Sequence, residues 1–107
     1  MAKDTSGNPW IFDTAGEKEG QEDFSVTDDN FDVQIYVKTM LLVNPAGATN
    51  TTFEVLEGDS TDSSLFGQVV VPAGSQYVVS LFNYVDGIYI NTLPTGGKIY
   101  VYHGEAA

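Results

Sequence analysis

The sequence predicts an all-β fold: a single antiparallel β-sandwich of about 7–8 strands, jelly-roll or immunoglobulin-like in outline, with an N-terminal arm. Three observations predict it. Apolar residues from Phe31 onward recur with period two, turn residues punctuate the chain at short intervals, and no window carries helical periodicity. The 107 residues suit one domain, which at this size hides about two-thirds of the unfolded chain's surface. With 42% hydrophobic and 18% charged residues the chain has the apolar content to fold, unlike a disordered acidic tail.

Residues 1–30 read as an acidic arm. Asp4, Asp13, Glu17, Glu19, Glu22, Asp23, Asp28 and Asp29 lie there with Gly7, Gly16 and Gly20 between them. One apolar island, Pro9-Trp10-Ile11-Phe12, interrupts it and holds the single Trp of the chain. Two placements of the island remain open: an anchor that orders on docking, or one more strand of the same sandwich.

The sandwich domain is expected over 31–107. Phe31, Val33, Ile35 and Val37 alternate with Asp32, Gln34, Tyr36 and Lys38, which is a half-buried strand. Met40 to Val43 continues or restarts it, and Asn44-Pro45-Ala46-Gly47 ends it. Thr51 to Glu57 reads as a strand with Phe53 and Val55 inward, followed by the polar loop Gly58 to Ser63. Leu65 to Val71 stops at Pro72-Ala73-Gly74, where proline has no N–H for a ladder. Tyr77 to Tyr84 is nearly continuously apolar, as a central strand covered on both faces would be. Asp86-Gly87 is the strongest hairpin signal, because both residues tolerate positive φ. Ile88 to Asn91 and Lys98 to His103 complete the set, joined through Leu93-Pro94-Thr95-Gly96-Gly97.

Alternation puts Ile88, Ile90, Ile99 and Val101 on one face and Tyr89, Tyr100 and Tyr102 on the other, with Tyr36 opposite Ile35 and Val37. These tyrosines either pair across strands to stiffen a sheet or form a contact surface of large apolar area with polar tips. A one-residue slip of register would exchange the faces.

The formal net charge is -11, with four Lys, no Arg and no Cys. Such a chain repels phosphate, and four scattered lysines make no basic patch for nucleic acid or an anionic membrane. Without cysteine there is neither disulfide nor thiolate ligand, and the redox compartment stays open. Met1-Ala2-Lys3-Asp4 begins a polar segment without a signal-peptide core, so synthesis and release in a host cytoplasm are expected. No apolar run approaches a membrane span. Asn50-Thr51-Thr52 matches a glycosylation sequon but reads as loop composition.

No catalytic constellation stands out. His103 is the sole imidazole and lacks a partner to orient it. Asp28-Asp29, and Asp59 with Asp62, are paired carboxylates of glycosidase type, but lie in loops where solvated carboxylates are usual. Asp28, Asp29, Asn30 and Asp32, or Glu57, Asp59 and Asp62, offer the hard oxygens calcium takes, without EF-hand spacing. Zinc and redox metals lack ligands, and no cofactor is expected. Tyr84, Tyr89 and Trp10 with Asn83 and Asn91 are the residue types of a sugar site.

Ser6-Gly7-Asn8-Pro9-Trp10-Ile11-Phe12-Asp13-Thr14, and Asp86-Gly87-Ile88-Tyr89-Ile90 through Gly97-Lys98-Ile99-Tyr100-Val101-Tyr102, together about a third of the chain, resemble small β-sandwich virion proteins of tailed bacteriophages. The resemblance implies an N-terminal arm before a compact sandwich, and a capsid decoration or head-auxiliary role. The expected function is therefore that of a non-enzymatic virion structural protein, a decoration or cement protein on the major capsid shell. Trp10, Ile11, Phe12, Tyr36, Tyr89, Tyr100 and Tyr102 are the expected partner-binding residues. The expected partner is the major capsid protein or another virion protein, with homo-oligomers, trimers for a three-fold position, and no direct contact with nucleic acid or membrane. The alternative is a carbohydrate- or receptor-binding module on a virion surface.

Overall fold

The computed structural model describes residues 4, 5, 7–20, 35–57 and 63–104. Its strands are β1 (Trp10–Phe12), β2 (Lys18–Gly20), β3 (Ile35–Val43), β4 (Thr52–Leu56), β5 (Val69–Val70), β6 (Gln76–Val85), β7 (Gly87–Thr92) and β8 (Lys98–Gly104). They form two four-stranded sheets, the first ordered β1-β8-β3-β6 and the second β2-β7-β4-β5. Every pairing is antiparallel. β1 pairs with β8, β2 with β7, β3 with β6 and β4 with β5, as in one long hairpin. Rolling that hairpin brings β3 against β8 and β4 against β7, which makes the sandwich a jelly roll and not an immunoglobulin-like one.

Period-two alternation builds the core. Phe12, Val37, Met40, Leu42, Ile99 and Val101 of the first sheet meet Phe53, Val55, Ile88 and Ile90 of the second, all at 0% exposure. Val37 and Met40 are both inside although three residues apart. The register of β3 against β8 shifts between Val37 and Thr39, so Lys38 is an inserted residue. Without that bulge Met40 and Leu42 would face solvent.

Most crossings between the sheets use one turn. In Thr14-Ala15-Gly16-Glu17, Pro45-Ala46-Gly47-Ala48, Pro72-Ala73-Gly74-Ser75 and Pro94-Thr95-Gly96-Gly97, the fourth N–H donates to the first carbonyl at 3.3, 3.3, 3.0 and 2.8 Å. The third residue is always glycine, with φ of 96°, 87°, 81° and 83°. This is the type II pattern, whose third position disfavours a Cβ.

One open alternative is settled and two expectations are corrected. Trp10-Ile11-Phe12 is an edge strand of the first sheet, with Phe12 opposite Ile99 in the core, and Lys18–Gly20 is an edge strand of the second. The part of the expected arm that is described is thus built into the sandwich, because burying Phe12 outweighs leaving it in solvent. The remainder, 21–30, and the proposed boundary near residue 31 lie outside the described residues.

Asp86-Gly87 is not a hairpin. β6 belongs to the first sheet and β7 to the second, so the chain crosses the core there, with Val85 and Gly87 both buried. The Glu57 carboxylate accepts the Asp86 N–H at 3.0 Å, which ties the crossing to the end of β4. β6 is also not central. It is the edge of the first sheet, and its apolar run is largely exposed.

Candidate functional site

The outer face of the first sheet follows from the register. Ile11, Tyr100, Leu41 and Val78 lie in one row across all four strands. Tyr102, Thr39 and Ser80 form the next row. Tyr36 and Tyr84 then pair across β3 and β6, ring centroids 5.0 Å apart and edge-to-face. Exposure reaches 56% at Val78, 47% at Tyr84 and 38% at Tyr102, while Ile11, Tyr36, Leu41 and Tyr100 are half-buried among their neighbours.

Charge is distributed to match. The strands of the first sheet contain Lys38 and Lys98 and not one of the chain's 15 acidic residues. Beyond β3, the whole of Ser63 to Val85 carries no charged side chain. Among the described residues this aromatic face holds no acid, and on a chain of net charge -11 it is where the molecule can approach a surface with least desolvation and repulsion.

The second sheet presents a different exterior. Tyr89 stands in a row with Lys18 and Leu56. Beside it the Glu54 carboxylate accepts from the Ser64 hydroxyl and, at 2.9 Å, from the Asn91 amide. Those bonds, Ser64 first, hold the Glu54 carboxyl below its usual 4.5, with Gln68 adding to them. A depressed folded pKa means a stability contribution that is present above 4.5 and lost as pH falls through the folded value. Glu54→Gln is accordingly expected to flatten the acid limb of the pH–stability curve, measured by urea unfolding; an unchanged limb would count against these bonds.

Of the seven residues expected to bind a partner, Ile11, Tyr36, Tyr100 and Tyr102 converge on the first sheet's outer face. Tyr89 lies on the opposite side of the molecule, since β7 belongs to the other sheet. Phe12 is in the core, and Trp10 packs against it from the sheet's end, its ring 4.2 Å from that of His103. The His103 Nε2 donates to the Gly7 carbonyl at 3.2 Å, and the Asn8 side chain exchanges two hydrogen bonds with the His103 backbone. His103 thus fastens the N-terminal segment to β8. The residues of the sugar-site expectation do not assemble either: Tyr84 and Tyr89 face opposite ways and Trp10 stacks on His103.

Leu41, Val78 and Tyr84 belong to the face and were absent from the expected set. The charge-free run is the signal that finds Val78 and Tyr84, whereas Leu41 faces outward because of the bulge at Lys38. Among the described residues no three His, Cys, Asp or Glu side chains come together as metal ligands. The acidic stretches holding Asp28, Asp29, Asn30 and Asp32, and Asp59 and Asp62, lie outside the described residues. A shallow depression lined by Pro45 to Asn50 and Thr95 contains no titratable side chain. No protein-family model, curated protein or solved structure matches the chain.

Proposed function

We propose that this protein is a non-enzymatic structural protein of a virion, a decoration or cement protein that seats the outer face of its first sheet on the major capsid shell. The observation that carries the reading is an aromatic face whose strands hold no acidic residue, on a strongly acidic molecule. Such a face resembles the core of an interface, where charges are depleted and Tyr enriched. The remaining acidity keeps copies soluble before assembly and limits contact with packaged nucleic acid. The likeness of the N- and C-terminal segments to small phage virion proteins supports the same reading. A jelly roll serves both capsid and lectin domains, so the fold alone does not choose between the shell and a glycan. Dispersal of Tyr84, Tyr89 and Trp10 favours the shell.

The test is co-sedimentation of the purified protein with phage particles from its source, followed by salt washes and a copy-number measurement. The expected result is stoichiometric retention through salt, because the contact is apolar. Absence from the pellet at every protein concentration would overturn the proposal.

A further inference from the structure

We infer that the chain self-associates through the β6 edge, two copies pairing their Gln76–Ser80 segments antiparallel about a two-fold axis at Val78. This rests on the fold and is independent of any capsid partner.

A free strand edge offers unpaired N–H and C=O groups to any other strand, and proteins usually blunt it. Three edges here are blunted. Beside β1, Asp4 and Ile11 exchange two backbone hydrogen bonds of 2.8 Å, so the chain covers that edge itself. β2 is three residues long and includes Lys18 and Glu19, and β5 is two residues long with Pro72 close behind. β6 has ten residues, no charge, no proline, and no strand on its outer side among the described residues.

Its one irregularity sets the register. Val37 pairs with Asn83 and Thr39 with Ser80, so Leu81 and Phe82 together oppose Lys38. Phe82 has φ of 47°, a left-handed backbone that a side chain disfavours. The bulge bends the strand after Ser80 and leaves Gln76–Ser80 as its straight, pairable run.

That run is complementary to itself. A two-fold at Val78 sets Gln76 against Ser80 of the second copy, Tyr77 against Val79, and Val78 against its own counterpart. Polar residues meet polar ones at the ends, and an aromatic meets a β-branched residue twice, which is a favourable cross-strand pair. Both faces gain. Val78 is 56% exposed on the outer face, while Tyr77, opposite the buried Leu42, is on the core side yet 52% exposed. Tyr77 therefore overhangs the second sheet, and a paired copy would cover it. Electrostatics selects this edge as well, since two chains of net charge -11 approach best along a strand without charge.

Pairing five residues on each side is a small interface, so the dimer is expected to be concentration-dependent. Sedimentation equilibrium of the full chain at about 0.1 mM should show mass rising toward two chains and rising further with added salt, which screens the repulsion. Val78→Lys should return it to one chain at the same concentration. Because the protein has no cysteine, cross-linking reads the register directly. Opposed residues of an antiparallel pair have Cα atoms about 4.5–5.5 Å apart, within disulfide reach. Ser80 and its own counterpart would be separated by roughly 13 Å along the strand. Under oxidised glutathione, Val78→Cys is expected to form linked dimers at least about ten-fold faster than Ser80→Cys. Equal rates for the two variants, dimers that survive Val78→Lys, or a single-chain mass throughout would each overturn the inference.

Discussion

Truncating Phe12 to alanine should lower the unfolding free energy by about 3–5 kcal/mol, a large share of the roughly 5–15 kcal/mol typical of a domain. The ring is fully buried, paired with Ile99 across the β1–β8 ladder, and part of the cluster that includes Val37, Met40 and Val101. Removing it takes away apolar burial and leaves a cavity that a strand on the sheet's edge closes only in part. Ile11→Ala, one residue away on the outer face and half-buried, is expected to have a much smaller effect. The contrast separates an edge strand from a docking anchor. An anchor on a solvated arm would leave stability untouched by either change. Urea unfolding followed by the fluorescence of Trp10, the single tryptophan, measures both; a loss below about 1 kcal/mol for Phe12→Ala would sink the edge-strand account.

The same segment shows what the sequence could and could not convey. Alternation placed Ile88, Ile90, Ile99 and Val101 inward and Tyr36, Tyr89, Tyr100 and Tyr102 outward, and every one of those orientations agrees with the burial. Period two fixes the side of a strand, however, and says nothing of which sheet the strand joins. Tyr89 and Tyr100 both point outward, yet toward opposite sides of the molecule. Asp86-Gly87 has the residues of a tight turn, but its conformation is decided by burial of Val85 and Gly87 and by the Glu57 acceptor, all non-local. The apolar run of β6 suggested cover on both faces. Apolar composition reports that a surface avoids water, and an intermolecular surface does so as well as an intramolecular one. The jelly-roll strand order depends on pairings between residues as distant as Trp10 and Val101, which no local pattern encodes.

Segregation of charge links these observations. Acids are excluded from the strands of the first sheet while the second sheet's exterior carries Glu54. Folding alone does not require this, since outward positions of both sheets tolerate carboxylates equally. Keeping the first sheet's exterior aromatic while the rest of the chain accumulates negative charge gives the molecule two sides of different character. One is suited to contact and the other to solvent.

Tyr102→Ala is therefore expected to weaken retention on the particle by about 2 kcal/mol, near thirty-fold, as a buried interfacial tyrosine does on truncation. Tyr102 sits on β8, an inner strand of the first sheet, two residues from Tyr100 and level with Thr39 and Ser80. At 38% exposure it has surface left to give to a partner, whereas the half-buried Tyr100 is already spent largely on its own sheet. Tyr89→Ala supplies the control, because it removes the same group from a strand of the second sheet and should alter retention by less than about two-fold. Unfolding measurements on both variants keep stability apart from binding, and each should stay within about 1 kcal/mol of the parent, as partly exposed positions do. A face that binds through Tyr102 gives a large difference between the two variants in pelleting titrations. Equal retention by both, or a greater loss for Tyr89→Ala, would move the contact away from the first sheet and take the proposed docking geometry with it.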